Sequence, residues 1–220
     1  KVTVASMNQL FETLFSQYST YTKLDVFLEL TAVFFGVVSV LYAKKNNVLV
    51  YPSGIVASAI FVYLLIKWGL FGDFIINIFY VSMSIYGWYL WTRKSNGKAL
   101  LNISRTNSKE KIIASIIFIM AFIFIWIIYI AFDKFDNWTA YLDTLTTAIF
   151  FSGMWLMAKR KIENWIFWIV GDIITVPLYF YKGLTMSSFL YLIYTFIAVA
   201  GYLAWRKSIE ERKGLKLETV

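Results

Sequence analysis

Long apolar runs separated by short polar or charged segments dominate the pattern along this chain. Seven of these runs reach about 20 mostly apolar residues, the length that crosses the hydrocarbon core of a bilayer. They lie near 25–43, 48–66, 70–91, 111–132, 139–157, 163–181 and 185–205. The pattern predicts an all-α integral membrane protein with seven transmembrane helices.

The segment that precedes these runs has a different pattern. Residues 6–18 are apolar at helical spacing but are too short and too polar to span a bilayer. We expect residues 1–24 to form an N-terminal interfacial segment, with a disordered tail as the alternative.

The distribution of basic residues predicts the orientation. Seven spans place the two termini on opposite sides of the membrane, with 5 of the 21 Lys and Arg residues on the side of the N-terminus and 16 on the other. Cytoplasmic loops carry the excess of Lys and Arg. We therefore expect the N-terminus outside and the C-terminus in the cytoplasm. The same distribution disfavours nucleic-acid binding as the reason for the net charge of +8.

Composition excludes several classes of protein. Hydrophobic residues make up 60% of the chain and charged residues 15%, which excludes disorder and disfavours a soluble globule. The chain has no Cys and no His, so the usual thiol nucleophile, the commonest general base and the commonest metal ligand are all missing. We expect neither an enzyme nor a bound cofactor or metal.

Two stretches of equal length, Tyr51–Trp91 and Trp165–Trp205, align at an offset of 114 residues. The aligned residues are Leu64 with Leu178, Gly69-Leu70 with Gly183-Leu184, Tyr80 with Tyr194, Gly87 with Gly201 and, after a one-residue slip, Ala43-Lys44 with Ala158-Lys159. The predicted organisation is a first three-helix repeat at 25–94, a cytoplasmic linker and connecting fourth helix at 95–137, a second repeat at 138–207 and a cytoplasmic tail at 208–220. One helix between two triplets makes the repeats parallel, and parallel 3+1+3 repeats are a transporter architecture with the binding site between the halves.

Two predicted helices carry polar and aromatic residues along one face, where ordinary packing would place an apolar stripe. The third span has Asp73, Asn77, Tyr80, Ser84, Trp88 and Trp91, and the seventh has Ser187, Tyr191, Tyr194, Ala198, Gly201 and Trp205. These faces form either the wall of a substrate path or hydrogen-bonded contacts between helices.

The sixth span places Trp165, Trp168, Asp172 and Tyr179 on one helical face. Asp172 lies about halfway along the span, where a carboxylate is costly and faces a cavity or a partner. Pro177 interrupts the same helix and is either a hinge or tolerated packing. Indoles with a carboxylate suit a flat cationic ring, because indole faces attract cations.

The run NWIFWIVGDIITVPLYFYKGL, with GLFGDFIINIFYVSMSIYGWYLW before it and LYLIYTFIAVAGYLAW after it, resembles the PnuC family of nicotinamide riboside transporters. The resemblance covers roughly residues 25–207. The motif matches at Asn164, Trp165, Trp168, Asp172, Leu178, Tyr179, Lys182, Gly183 and Leu184, and the end of the third span matches at Gly87, Trp88, Tyr89 and Trp91.

The resemblance implies a homotrimeric protein of the bacterial inner membrane with an architecture like that of the SWEET sugar transporters. It implies uptake of nicotinamide riboside by facilitated diffusion, with phosphorylation by a cytoplasmic riboside kinase trapping the substrate. Asn164, Trp165, Trp168 and Asp172 match the motif that contributes to the family's binding site. Face geometry adds Asn77, Tyr80, Trp88, Tyr179, Tyr191 and Tyr194. Transport of thiamine, riboflavin or sugar, and a scaffold or channel without a specific substrate, are the alternatives.

Overall fold

The computed structural model describes residues 21–218 except 96, 134 and 136, so the interfacial helix predicted for residues 6–18 lies outside the described residues. Seven α-helices occupy the described part of the chain. They are α1 (Lys23–Lys44), α2 (Val50–Lys67), α3 (Phe71–Thr92), α4 (Ser108–Ala131), α5 (Thr139–Ala158), α6 (Asn164–Tyr181) and α7 (Thr185–Glu218). Two-residue strands β1 (Lys94–Ser95) and β2 (Lys98–Ala99) pair antiparallel between α3 and α4. The prediction of an all-α fold with seven helices is confirmed.

Local signals in the sequence explain where several helices begin and end. Asn107 caps α4 through a reciprocal pair of bonds with Glu110, in which each side chain accepts from the other residue's backbone N–H at 2.9 Å. The last helix, α7, continues well past residue 205, where the predicted span ends. Ion pairs one turn apart, such as Arg206 with Glu210 at 2.8 Å, favour this extension.

Six of the seven described helices are long and apolar enough to cross a membrane by themselves. The helix that differs is α5, which is also the helix with the most buried residues. Several of its hydroxyls bond within the helix; Thr144, for example, donates to the carbonyl of Ala140 at 2.9 Å. Because neighbouring helices surround α5, its residues need not be as apolar as those of a helix facing lipid.

The helices pack as two triplets with α4 beside the second. In the first triplet α1 packs on α2 and α2 on α3, and in the second α5 packs on α6 and α6 on α7. The triplets meet where α1 packs on α7 and α3 packs on α5, so the first helix of each repeat contacts the third helix of the other. This arrangement confirms the parallel 3+1+3 organisation.

The backbone repeats at the offset of 114 residues. Helices α2 and α6 have 18 residues each and begin at Val50 and Asn164. The turns that precede them use left-handed backbone at Asn46 (φ 51°) and Arg160 (φ 53°). The turns that follow them use Gly69 (φ 71°) and Gly183 (φ 76°), a conformation that glycine adopts without strain. Since α1 ends at Lys44 and α5 at Ala158, the one-residue slip in the sequence alignment is absent at these helix ends.

Side-chain packing repeats as well. A Cβ atom on Gly87 would lie 2.2 Å from the Tyr51 ring, and one on Gly201 would lie 2.6 Å from the Trp165 ring. Each aligned pair therefore needs glycine so that the third helix can approach an aromatic ring of the second. The aligned glycines in the sequence reflect this equivalent packing.

Candidate binding site between the repeats

A cavity of about 210 Å³ lies between the two triplets. Its walls come from both repeats, through residues of α1, α2 and α3 on one side and of α5, α6 and α7 on the other. This is the position that the parallel repeat predicts for a transporter's substrate site.

Six of the ten sequence-predicted site residues line this cavity. They are Tyr80, Trp165, Trp168, Asp172, Tyr191 and Tyr194. They come from α3, α6 and α7, so the fold brings together the three faces that helical spacing identified separately.

The other four predicted residues lie outside the lining. Tyr179 packs edge-on against Tyr191, with ring centroids 5.2 Å apart, and so supports a lining residue from behind. Asn164 is fully buried and its Nδ2 donates to the Lys161 carbonyl. Asn77 donates to the carbonyl of Asp73 at 3.0 Å, and the side chain of Trp88 is 41% exposed on the surface.

Asp172 is the acidic residue of the cavity. It is 2% exposed, and it is the only charged residue among the described residues that line the cavity. Its counterpart in the first repeat, Ser58, lies on the wall as well. A buried carboxylate beside a cavity without a neighbouring basic residue is suited to a cationic ligand.

Flat rings on three helices line one side of the space. Phe150 of α5 stacks with Trp168 of α6 at a centroid distance of 5.3 Å and an interplanar angle of 23°. The Phe150 ring is also nearly parallel to Tyr191 of α7, at 6.0 Å and 20°. These near-parallel rings form a surface on which another flat ring can stack.

Three lining residues have polar atoms without a hydrogen-bond partner among the described residues. These atoms are Tyr51 Oη, Trp165 Nε1 and Trp168 Nε1, all buried. Buried donors are nearly always paired. Unpaired donors around a cavity are therefore available to acceptor groups of a ligand.

Helical spacing alone missed several lining residues, among them Tyr51, Ser58 and Phe150. The repeat contained the signal for two of them. When the two repeats are aligned at the offset of 114 residues, Tyr51 aligns with Trp165 and Ser58 aligns with Asp172.

Parallel three-helix repeats around a central cavity are an architecture of membrane transporters. The model of the nicotinamide mononucleotide transporter family matches residues 26–207, and the chain belongs to this family. The protein is therefore a transporter rather than an enzyme, as the sequence predicted.

Individual relatives agree with this assignment. The nicotinamide riboside transporter PnuC of Escherichia coli (strain K12) is 24% identical over 204 residues, covering 80% of this chain and 84% of that protein. PnuC of Neisseria mucosa is 23% identical over 209 residues, covering 86% and 76%. The riboflavin/roseoflavin transporter RibM of Streptomyces davaonensis is 24% identical over 129 residues, covering 57% and 59%.

The fold is also that of a solved transporter. The crystal structure of the vitamin B3 transporter PnuC superposes with a TM-score of 0.63 at 20% identity. The match covers 92% of this chain and 90% of the other.

Proposed function

We propose that this protein transports nicotinamide riboside into the cell by facilitated diffusion. The chief support from the molecule itself is the combination of near-parallel aromatic rings with one buried carboxylate, Asp172, in the cavity between the repeats. Relatives named as nicotinamide riboside transporters support the same substrate.

Charge selects the riboside among related compounds. Nicotinamide riboside carries a positive pyridinium ring and no phosphate, so it complements Asp172. Nicotinamide mononucleotide adds a phosphate, which would call for Lys or Arg in the wall, and none of the described lining residues is basic. The cavity therefore favours the riboside over its phosphate ester.

In the proposed complex, the pyridinium ring stacks on Trp168 and its aromatic neighbours near the midplane of the membrane. Desolvated cation–aromatic contacts contribute up to about 2 kcal/mol each. The unpaired donors of Tyr51, Trp165 and Trp168 bond the ribose and carboxamide oxygens. Tyr80, Tyr191 and Tyr194 complete the wall, while Asn164 and Tyr179 position lining residues from behind. Asn77 and Trp88 make no contact in this arrangement.

Transport follows from rocking one triplet against the other, so that the cavity opens to each side in turn. No energy coupling is required, because a cytoplasmic kinase that phosphorylates the riboside converts it to an anion. That product is repelled by Asp172 and does not leave through the same site. Kinase activity thereby maintains the inward gradient.

The proposed setting is the inner membrane of a bacterium, with the N-terminus outside and the C-terminus in the cytoplasm. The distribution of Lys and Arg supports this orientation. We further propose that the protein forms a homotrimer.

Riboflavin is the second candidate substrate, because RibM is among the relatives. Its flat ring system can stack on the same aromatic side chains. It is neutral, however, and leaves the buried charge of Asp172 without a counterpart.

Fluorescence titration of the purified protein tests the substrate. Nicotinamide riboside is expected to quench tryptophan fluorescence saturably, and nicotinamide mononucleotide is not. Riboflavin and thiamine complete the panel, and stronger binding of either one would reassign the substrate. Absence of saturable riboside binding by well-folded protein would overturn the proposal. In proteoliposomes with an imposed ion gradient, riboside influx that stops at equal concentrations inside and outside would support facilitated diffusion, whereas accumulation above the external concentration would argue for ion coupling.

A further inference from the structure

Two indole hydrogen bonds cross between the repeats in opposite directions. Trp91 of α3 donates through Nε1 to the carbonyl of Ala158 at the end of α5, at 3.1 Å. Trp205 of α7 donates through Nε1 to the carbonyl of Ala43 in the last turn of α1, at 3.0 Å. Trp91 and Trp205 are partners in the repeat, so the two bonds form a reciprocal pair.

The same two indoles form the centre of a continuous row of four rings. Tyr51 contacts Trp91 edge-on at 5.1 Å, Trp91 contacts Trp205 at 6.2 Å, and Trp205 contacts Trp165 edge-on at 5.6 Å. All four side chains are buried, with at most 4% of any of them exposed. We call this row the ring barrier. Its outer members, Tyr51 and Trp165, also line the cavity, so the barrier borders the cavity.

The loop that follows α3 lies against the ring barrier. The Arg160 guanidinium stacks 4.1 Å above the Trp91 ring, and the same side chain donates to the carbonyl of Leu101. Ile103 is buried in the cluster that contains the four rings. Backbone bonds of Ser104 with Arg160 at 3.1 Å and with Ile162 at 3.0 Å attach the loop to the turn between α5 and α6.

The opposite end of the molecule is held together differently. There Lys67 pairs with Asp25 at 2.6 Å and Lys182 pairs with Asp143 at 2.8 Å. Each of these ion pairs joins two elements of one triplet. The indole bonds, by contrast, join one triplet to the other, so they must break if the triplets separate at the ring-barrier end.

We propose that the ring barrier is the cytoplasmic gate, and that Trp91 and Trp205 hold it closed through their reciprocal bonds. This inference rests on the proposed transport function, and it places the gate at the end that carries most of the Lys and Arg residues. Since each bond ties a third helix to the first helix of the other repeat, opening breaks both bonds together. Neither triplet can open this end alone.

Cysteine accessibility tests the gate, because the chain has no Cys of its own. Ser58→Cys places a single thiol on the cavity wall, and an impermeant maleimide is applied to each face of membrane vesicles in turn. Trp91→Phe and Trp205→Phe keep a ring in the barrier but remove the Nε1–H donor. Each is expected to speed labelling from the Lys- and Arg-rich face about fivefold, and the double variant about 25-fold, relative to the Ser58→Cys parent.

Trp126→Phe is the matched control. Trp126 lies near the C-terminal end of α4, with its ring centroid 4.8 Å from that of Phe135. Its substitution is expected to leave the labelling rate unchanged. Equal labelling rates in the parent and the double variant would overturn the proposal that the ring barrier is a gate. Faster labelling from the opposite face only would also overturn it. If the double variant does not fold, the two single variants provide the same comparison.

Riboside binding in detergent separates this inference from the proposed function. The double variant is expected to bind nicotinamide riboside within about twofold of the parent, since its cavity wall is retained. If the parent protein binds no riboside, the proposed substrate is wrong. The accessibility result would then still show whether the ring barrier is a gate. Normal binding with unchanged labelling would overturn the gate alone.

Discussion

The two repeats have matching backbones but present different side chains to the cavity. Helices α2 and α6 are equal in length and are flanked by equivalent turns. At three lining positions, however, a small residue of the first repeat corresponds to a bulky or charged residue of the second. The pairs at the offset of 114 are Gly36 with Phe150, Gly54 with Trp168, and Ser58 with Asp172.

The residues of the ring barrier, in contrast, are alike in both repeats. Tyr51 matches Trp165, and Trp91 matches Trp205, in nearly the same edge-on geometry, at interplanar angles of 90° and 88°. The difference separates two requirements. A barrier between two rocking halves works best when both halves contribute equally, whereas an asymmetric ligand needs a wall that stacks and attracts on one side and leaves room on the other.

The largest expected effect comes from making the walls alike. Gly54→Trp gives the first repeat the indole that the second has at Trp168, and the added ring fills much of the cavity. We expect riboside affinity to fall by more than about 100-fold, corresponding to ~3 kcal/mol, in a fluorescence or calorimetric titration. Gly54→Ala is the control; its Cβ would lie 3.2 Å from Ser39 Oγ, a contact that a small movement relieves. Wild-type affinity in folded Gly54→Trp would show that the ligand binds elsewhere.

Removing the stacking surface is expected to have the next largest effect. Trp168→Ala deletes a cation–aromatic contact of about 2 kcal/mol, so affinity for the riboside should fall about 30-fold. Trp88→Ala removes an indole that lies outside the cavity lining and is 41% exposed, and it should leave affinity unchanged. Equal losses in the two variants, measured by the same titration, would exclude Trp168 from the site.

Moving the charge tests the third difference between the walls. Asp172→Asn is expected to weaken the cationic riboside about tenfold, or ~1.4 kcal/mol, and to leave neutral nicotinamide nearly unaffected. Adding Ser58→Asp returns a carboxylate to the cavity from the first repeat and should restore part of the affinity. Isothermal titration of both ligands provides the measurement. An equal effect of Asp172→Asn on the two ligands would indicate a structural role.

The smallest expected effect concerns Asn77, the repeat partner of Tyr191. Tyr191 lines the cavity and Asn77 does not. Asn77→Ala should therefore change riboside affinity by less than about twofold, whereas Tyr191→Ala, which removes a wall ring, should weaken it about fivefold, or ~1 kcal/mol. A larger loss for Asn77→Ala in the same titration would place the site closer to the N-terminal end of α3.

Helical spacing predicted which face of each helix is polar, but not how much of that face meets the cavity. In α3, Asn77, Tyr80, Ser84 and Trp88 share one face, and only Tyr80 and Ser84 line the cavity. A face extends along the whole helix, whereas this cavity spans only the middle turns. Similarly, helical spacing placed Trp165 and Trp168 on one face of α6. In the structure Trp165 also packs against Gly201 and belongs to the ring barrier.

The sequence by itself determined the membrane fold, the parallel repeat and the face of α6 that carries Trp168 and Asp172. These features depend on the apolar runs, on the offset of 114 and on a period of 3.6 residues, all of which can be read along one chain. Only the tertiary structure decided that these small residues and their bulky repeat partners line one cavity and that Trp91 and Trp205 bond across the repeats. The physical reason is that a cavity and a gate form between helices distant in sequence, and their residues meet only when the two triplets pack together.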